Sequence, residues 1–185
     1  PSPPPPPPPP FFFFLLIRRT SRSTLDRSSA ASDVYKRQVK DSKLIKGVLE
    51  FLKWAKSKNI SMGVCTNKQE HLAIDLLKKI EIYDYFEYVA GGNTFEYCKP
   101  DPRHLTSIIE IMNGDIKKSL MVGDSENDAD AAKSAGIPMI LVEDGYTDKK
   151  IEQIYHDHLI KDFIGIEKII SLYLNDLSKS FYCSS

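Results

Sequence analysis

The stretch Leu120-Met121-Val122-Gly123-Asp124-Ser125-Glu126-Asn127-Asp128-Ala129-Asp130 constrains this chain more than any other. The run from Ser119 to Val122 has the short, continuous apolar character of a buried strand. Gly123 permits a sharp turn. A helix is then expected through Ala131, Ala132 and Ala135, stopped by Gly136, a favourable residue just past a helix end. Asp124 and Asp128 thus fall at the carboxyl end of a strand and the amino end of a helix. In open α/β sheets that edge is where ligands bind. Clustered carboxylate oxygens there suit Mg²⁺, which takes one or two carboxylates and leaves other positions to water and phosphate. Asp and Ser are also ordinary residues at a helix start, so capping is the competing explanation for the same pattern.

The rest of the chain supports an α/β reading. Gly47 to Lys58 carries Val48, Phe51, Leu52 and Ala55 at helical spacing. Ile60 to Cys65 reads as a buried strand ending in Thr66-Asn67, and Leu72, Ile74, Leu76, Leu77 and Ile80 mark a second helix. A strand is expected over Tyr85 to Val89, closed by Gly91-Gly92. Asp101-Pro102 opens a third helix, with Leu105, Ile108, Ile109 and Met112 on its apolar face. Pro138 to Val142 reads as a strand, Gly145-Tyr146 as a turn, and Ile164 to Leu174 as a last helix. Strands that alternate with helices imply a parallel sheet covered on both faces, a three-layer α/β/α arrangement.

Residues 1–38 have a different texture. Nine of the 12 prolines lie in the first ten residues, and Phe11 to Phe14 follow directly. Five of the six arginines lie between Arg18 and Arg37; beyond residue 40 the cation is almost always Lys. Runs of Pro and then Phe are what runs of C and then T in DNA encode, and Ser28 to Gln38 resembles a translated adapter. This segment is expected to be non-native and disordered, leaving residues 39–185 as the folded part. Phe11 to Ile17 is too short to span a membrane.

Composition excludes some partners. Lys+Arg and Asp+Glu are both 25, but residues 1–40 carry a net +5 and residues 41–185 a net −5. A mildly acidic globular part gives no electrostatic footprint for nucleic acid. Cys65, Cys98 and Cys183 form no metal-binding spacing, so free thiols in a cytoplasmic, reducing compartment are expected.

Three candidate elements fall on one sheet edge. Thr66 and Asn67, beside a helix start, could hold phosphate oxygens. Lys99, in Cys98-Lys99-Pro100-Asp101-Pro102, could neutralise phosphate charge. Asp124 and Asp128 could hold Mg²⁺ against a transferring phosphoryl group. Singly, each has a dull explanation, a cap or a solvated charge; the order and topology favour the joint reading.

These residues resemble the motifs of the haloacid dehalogenase superfamily of phosphatases. Thr66 matches the second motif, Lys99 to Pro102 the third, and Gly123 to Asp128 the fourth, Gly-Asp-(Ser/Thr)-x-x-Asp. The run Ala132 to Pro138 and the triplet Asp144-Gly145-Tyr146 are similar to the phosphoglycolate phosphatase branch. The resemblance covers about residues 44–175. It implies that Asp124 ligates Mg²⁺ with Asp128 beside it or supporting it, that Thr66 and Asn67 hold phosphoryl oxygens, and that Lys99 orients the nucleophile and offsets charge. It implies a small phosphorylated metabolite as substrate, 2-phosphoglycolate foremost, no membrane partner, and a monomer or homodimer.

The first motif of that family, Asp-x-Asp-x-(Thr/Val), supplies an aspartate nucleophile and a second aspartate for acid–base chemistry. It is absent here; Asp26 and Asp33 do not fit it. The helical cap on which substrate choice largely rests is absent too. The expectation is a 5′-truncated gene, with the first-motif strand either missing or replaced by Phe11 to Ile17, and a chain that is inactive as it stands. The alternatives are a non-catalytic phosphate- or Mg²⁺-binding module of the same fold, a related mutase or dehalogenase, and a receiver-like phosphoacceptor domain. In a receiver domain the acidic residues precede Thr and Lys, whereas here they follow them.

Overall fold

The computed structural model describes the backbone of residues 11–14, 44–143 and 150–182, with side chains for 44–143 and 150–174. Its elements, in chain order, are β1 (Phe11–Phe14), α1 (Val48–Ser57), β2 (Ser61–Cys65), α2 (Glu70–Lys79), β3 (Tyr88–Ala90), α3 (Arg103–Ile111), β4 (Ser119–Gly123), α4 (Glu126–Ala135), β5 (Met139–Val142), β6 (His158–Ile160) and α5 (Ile166–Tyr182). The strands form one sheet in the order β3-β2-β1-β4-β5-β6, and every neighbouring pair is parallel. The expected α/β architecture is thus the observed one.

Alternation along each strand divides the core in two, as the pleat requires. Met62 and Val64 of β2, Leu120 and Val122 of β4, and Ile140 and Val142 of β5 face α1, α2 and α5, where Phe51, Leu52, Leu77 and Ile170 meet them. Cys65, Met121, Met139 and Leu141 face α3 and α4, packing on Leu105, Ile108, Ala129 and Ala132. Both faces of the sheet are covered, which is why these strands read as continuous apolar runs rather than as alternating ones.

The central strand is Phe11–Phe14. It pairs with β2 on one side and β4 on the other. Four residues of the segment set apart from residues 39–185 thus occupy the position between the Thr66 strand and the Asp124 strand, the replacement for which Phe11 to Ile17 is the candidate run. The remainder of that segment, with Asp26 and Asp33, lies outside the described residues, as do the Asp144-Gly145-Tyr146 triplet and Cys183. A missing central strand would leave backbone groups on β2 and β4 unpaired, and Phe residues suit a buried strand by propensity.

Several boundaries differ from the sequence reading for local reasons. Tyr85 sits in a one-turn 3-10 helix, Tyr83–Tyr85, so β3 begins only at Tyr88. Pro102 precedes the first helical residue of α3, and Asp101 Oδ1 instead accepts from the Arg103 amide at 2.9 Å. The last helix starts at Ile166, after Gly165 at φ 81°, and runs to Tyr182. The edge strand β6 went unread because its three residues carry no run long enough to stand out. Among the described residues no helix is long and apolar enough to cross a membrane.

The placement of β1 makes a testable statement. Deleting residues 1–17 removes the partner shared by β2 and β4, so the cooperative urea transition reported by Trp54 fluorescence should be lost or shifted far to lower denaturant. A deletion variant with an unchanged midpoint would show that these strands do not depend on Phe11–Phe14.

Candidate functional site

Register places the site. Phe14 pairs with both Val64 and Val122, so Thr66 and Asp124 lie level with each other, two residues beyond that row. The chain runs from β1 to β2 and β3 on one side and from β4 to β5 and β6 on the other. The strand order therefore reverses at β1, the switch point at which open α/β sheets leave a crevice.

Lys99 occupies the centre of this edge. Its side chain is buried, with the residue only 2% exposed, and Nζ donates to the Cys65 carbonyl and to Asp128 Oδ1, both at 2.5 Å. The main chain of Lys99 is held too. Its carbonyl accepts from Asn67 Nδ2 at 2.7 Å, and its amide donates to His104 Nδ1 at 3.2 Å. The loop carrying the lysine is thus tied to the end of β2, the start of α3 and the first turn of α4.

Asp128 is fully buried in that first turn. Its Oδ2 accepts from the Asp124 and Ser125 amides, each at 3.1 Å, and from the Ser125 hydroxyl at 2.7 Å. Ser125 Oγ in turn accepts from the Asp128 amide at 3.3 Å, completing a reciprocal capping box. Gly123 makes room for this. A Cβ there would lie 2.6 Å from Asp128 Cβ and 2.7 Å from its carboxylate. Capping and ligand chemistry, which the sequence posed as alternatives, are combined: the cap uses one carboxylate oxygen and Lys99 uses the other.

Electrostatics follow from burial. Burial is the largest influence and works against the Lys99 charge, but the charge and hydrogen bond of Asp128, with smaller contributions from its neighbours, together outweigh it, and the lysine pKa is raised. The ammonium is kept charged out of water. The Cys65 thiol is pushed up to about 12, mainly by burial, so it is not a nucleophile.

Thr66 is buried, and its Oγ1 accepts from the Lys68 amide at 3.2 Å, which leaves the hydroxyl proton to donate. The loop after β2 lies against the loop after β3. A Cβ on Gly91 would meet the Glu70 amide nitrogen at 2.2 Å, and one on Gly92 the Asn67 carbonyl oxygen at 2.5 Å, so only glycine permits this approach. Gly92 N donates to Lys68 O, and Glu70 N to Asn93 Oδ1, each at 2.8 Å.

All five residues singled out in the sequence, Thr66, Asn67, Lys99, Asp124 and Asp128, come to this one edge. Among the described residues no group of three or more His, Cys, Asp or Glu side chains could hold a metal. The donor set nevertheless fits Mg²⁺ in a limited way: Asp124 can offer a carboxylate, with other positions left to phosphate and water. Asp128 has its oxygens engaged by Lys99, Ser125 and two amides.

His104 was missed by the sequence reading. It is 0% exposed, stands at 84° to the Phe95 ring with centroids 5.8 Å apart, and its Nε2 has no hydrogen-bond partner. Burial, with the Lys99 charge adding to it, lowers its pKa to about 4; the Gly91 backbone pulls the other way without making a well-formed hydrogen bond. The signal was present: His104, Leu105, Ile108 and Ile109 form one buried helical stripe, in which a histidine is the odd member.

Comparison with known proteins agrees with this geometry. The family model described as haloacid dehalogenase-like hydrolase matches residues 17–142. A phosphoglycolate phosphatase from Agrobacterium fabrum is 40% identical over 136 residues, covering 71% of this chain and 58% of that protein. One from Caulobacter vibrioides is 36% identical over 137 residues, covering 74% of this chain and 58% of that protein. A crystal structure named as a predicted phosphoglycolate phosphatase from Haemophilus somnus superposes with a TM-score of 0.70 at 30% identity, covering 75% of this chain and 62% of that one. The chain thus spans a little over half the length of these two curated relatives. It belongs to the haloacid dehalogenase-like hydrolase family.

Two outcomes test the site's energetics. Asp128→Asn leaves the buried Lys99 ammonium without its counter-charge and should cost about 3–5 kcal/mol in urea unfolding, the usual range for breaking a buried pair. An Asp128→Asn loss below about 1 kcal/mol, the range of surface pairs, would show the pair to be solvated. The second concerns pH. His104 binds a proton near 6.5 when unfolded and near 4 when folded, so its contribution to stability is complete above pH 6.5 and is lost as pH falls. Between pH 7.5 and 5 this removes about 2 kcal/mol, by the worth of a pKa shift. His104→Asn should flatten that part of the stability–pH curve, and an unaltered slope would contradict the assignment.

Proposed function

We propose that this member of the haloacid dehalogenase-like hydrolases carries the phosphate- and metal-holding part of a Mg²⁺-dependent phosphatase for small phosphate monoesters, with 2-phosphoglycolate the leading substrate. The observation that carries this reading is the buried Lys99 ammonium, paired with Asp128 and set between Thr66-Asn67 and Asp124 on the carboxyl edge of the sheet. A solvated surface lysine would need no such enclosure. The names of the relatives support the substrate class.

The residues divide the work. Thr66 can donate its hydroxyl proton to a phosphoryl oxygen. Lys99 spends two of its three Nζ protons on Cys65 O and Asp128, leaving one to turn towards a phosphoryl oxygen or a nucleophile. Asn67 gives one amide proton to the Lys99 carbonyl, so it positions the lysine as well as bordering the phosphate. Asp124 is the carboxylate for the metal, its amide held by Asp128. Mg²⁺, when bound, supplies stabilisation for the charge on the transferring phosphoryl group.

This chain is proposed to bind without turnover. Asp-x-Asp-x-(Thr/Val) occurs nowhere in its sequence, and the described central strand is Phe11–Phe14, with no carboxylate. Removing a hydrolase nucleophile costs on the order of 10⁶ in rate. The free thiols of Cys65 and Cys98 suit a cytoplasmic setting, and a monomer or homodimer is the proposed state.

The test is direct. Full-length protein with Mg²⁺ should not hydrolyse 2-phosphoglycolate or p-nitrophenyl phosphate above background. It should bind inorganic phosphate by calorimetry, and Lys99→Ala and Asp124→Asn should each weaken that binding about tenfold or more, the loss expected for a charge-assisted contact. Turnover near the ~1 s⁻¹ lower end of typical enzymes, abolished by the same substitutions, would overturn the binding-only reading. Phosphate binding indifferent to both substitutions would overturn the site.

A further inference from the structure

We infer that His104 is a positioning residue for the phosphate site: its neutral ring, bare at Nδ1, accepts the Lys99 amide and so fixes the loop that presents the lysine. The inference rests on the phosphate-binding reading of Lys99 given above.

The argument begins with what the loop must satisfy. Lys99 is buried, so its main-chain amide needs a partner, and an unpaired buried amide costs about 1–3 kcal/mol. Preceding Cys98 and following Pro100 lie in a loop, and the partner comes from a side chain instead of a strand or helix. His104 Nδ1 provides it at 3.2 Å. A ring nitrogen can accept only when it carries no proton, which places the single ring proton on Nε2. That proton makes no well-formed hydrogen bond, although the Gly91 backbone bears on the ring, a cost the fold tolerates.

A second feature points the same way. The His104 amide donates to the Asp101 carbonyl at 3.2 Å, and the Asp101 amide to the Cys98 carbonyl at 3.0 Å. The histidine therefore belongs to the same short turn whose geometry it completes, anchored by the buried stripe of α3. With Asn67 on the Lys99 carbonyl and His104 on its amide, both ends of the residue are gripped. The side chain then starts from a fixed backbone and ends on Cys65 O and Asp128.

The geometry separates a Nδ1 role from a Nε2 role by substitution. Asn places an acceptor oxygen at the δ position, where His104 has Nδ1; Gln places it one atom further out. In the full chain, ¹⁵N imidazole spectra at pH 7 should show His104 as the Nε2-protonated tautomer. The Lys99 amide should be protected from hydrogen exchange in wild type and in His104→Asn, and exchange at least tenfold faster in His104→Leu and His104→Gln. Affinity for inorganic phosphate with Mg²⁺ should fall at least fivefold in His104→Leu and His104→Gln and stay within twofold in His104→Asn. If His104→Leu does not fold, the Asn and Gln pair decides alone. A Nδ1-protonated ring, equal behaviour of Asn and Gln, or unchanged phosphate affinity in His104→Gln would overturn the inference. If wild type binds no phosphate, the phosphate reading falls by itself, while tautomer and exchange still decide whether His104 holds Lys99.

Discussion

An ammonium and a carboxylate shut away from water impose strict conditions on everything around them. Lys99 comes from the loop before α3 and Asp128 from the first turn of α4, 29 residues later in sequence, and each is almost wholly enclosed. Neither could be buried alone, because the desolvation cost of one ion is several kcal/mol. Their pairing therefore demands that β2, the loop before α3 and the turn into α4 arrive together. The demand spreads outward. Asp128 can reach Lys99 only if Gly123 has no side chain, and its second oxygen must then be satisfied by the Asp124 and Ser125 amides and the Ser125 hydroxyl. A buried pair of this kind is weak support for stability as such, and a well-packed apolar pair could replace it. Its retention at the edge where ligands bind is better explained by chemistry than by folding.

The legibility of this arrangement in the sequence was uneven, for physical reasons. The strands and helices were legible because a parallel sheet buried on both faces leaves long apolar runs separated by helical stripes. The edge of the site was legible because glycines and capping residues punctuate it, as in Gly91-Gly92 and Gly123 to Asp128. What could not be read was the division of labour between Asp124 and Asp128. Two acidic residues four apart look alike in sequence. Only the geometry gives Asp128 to Lys99 and the capping box, which is the ground for proposing Asp124 as the metal ligand. His104 was passed over for a related reason: in a stripe with Leu105, Ile108 and Ile109 it stands out as the odd member, but the stripe does not say what it touches. Its value lies in a contact to a backbone amide five residues earlier, which no periodicity reports.

The central strand separates two things that usually travel together in an α/β enzyme. A sheet asks its middle strand for backbone donors and acceptors on both sides and for residues that tolerate burial. Phe11–Phe14 meets the first demand through paired register with β2 and β4. It carries none of the chemistry that the neighbouring edges are built to serve. The bonds that hold Lys99 come from β2, the Asn67 loop, α3 and α4, so the lysine's position follows from elements that flank the central strand. Fold and reaction thus rest on different atoms. The backbone of four phenylalanines can close the sheet, while catalysis by covalent attack needs one carboxylate at the end of that strand. A chain with the first and without the second keeps the sheet and the buried Lys99–Asp128 pair at its carboxyl edge.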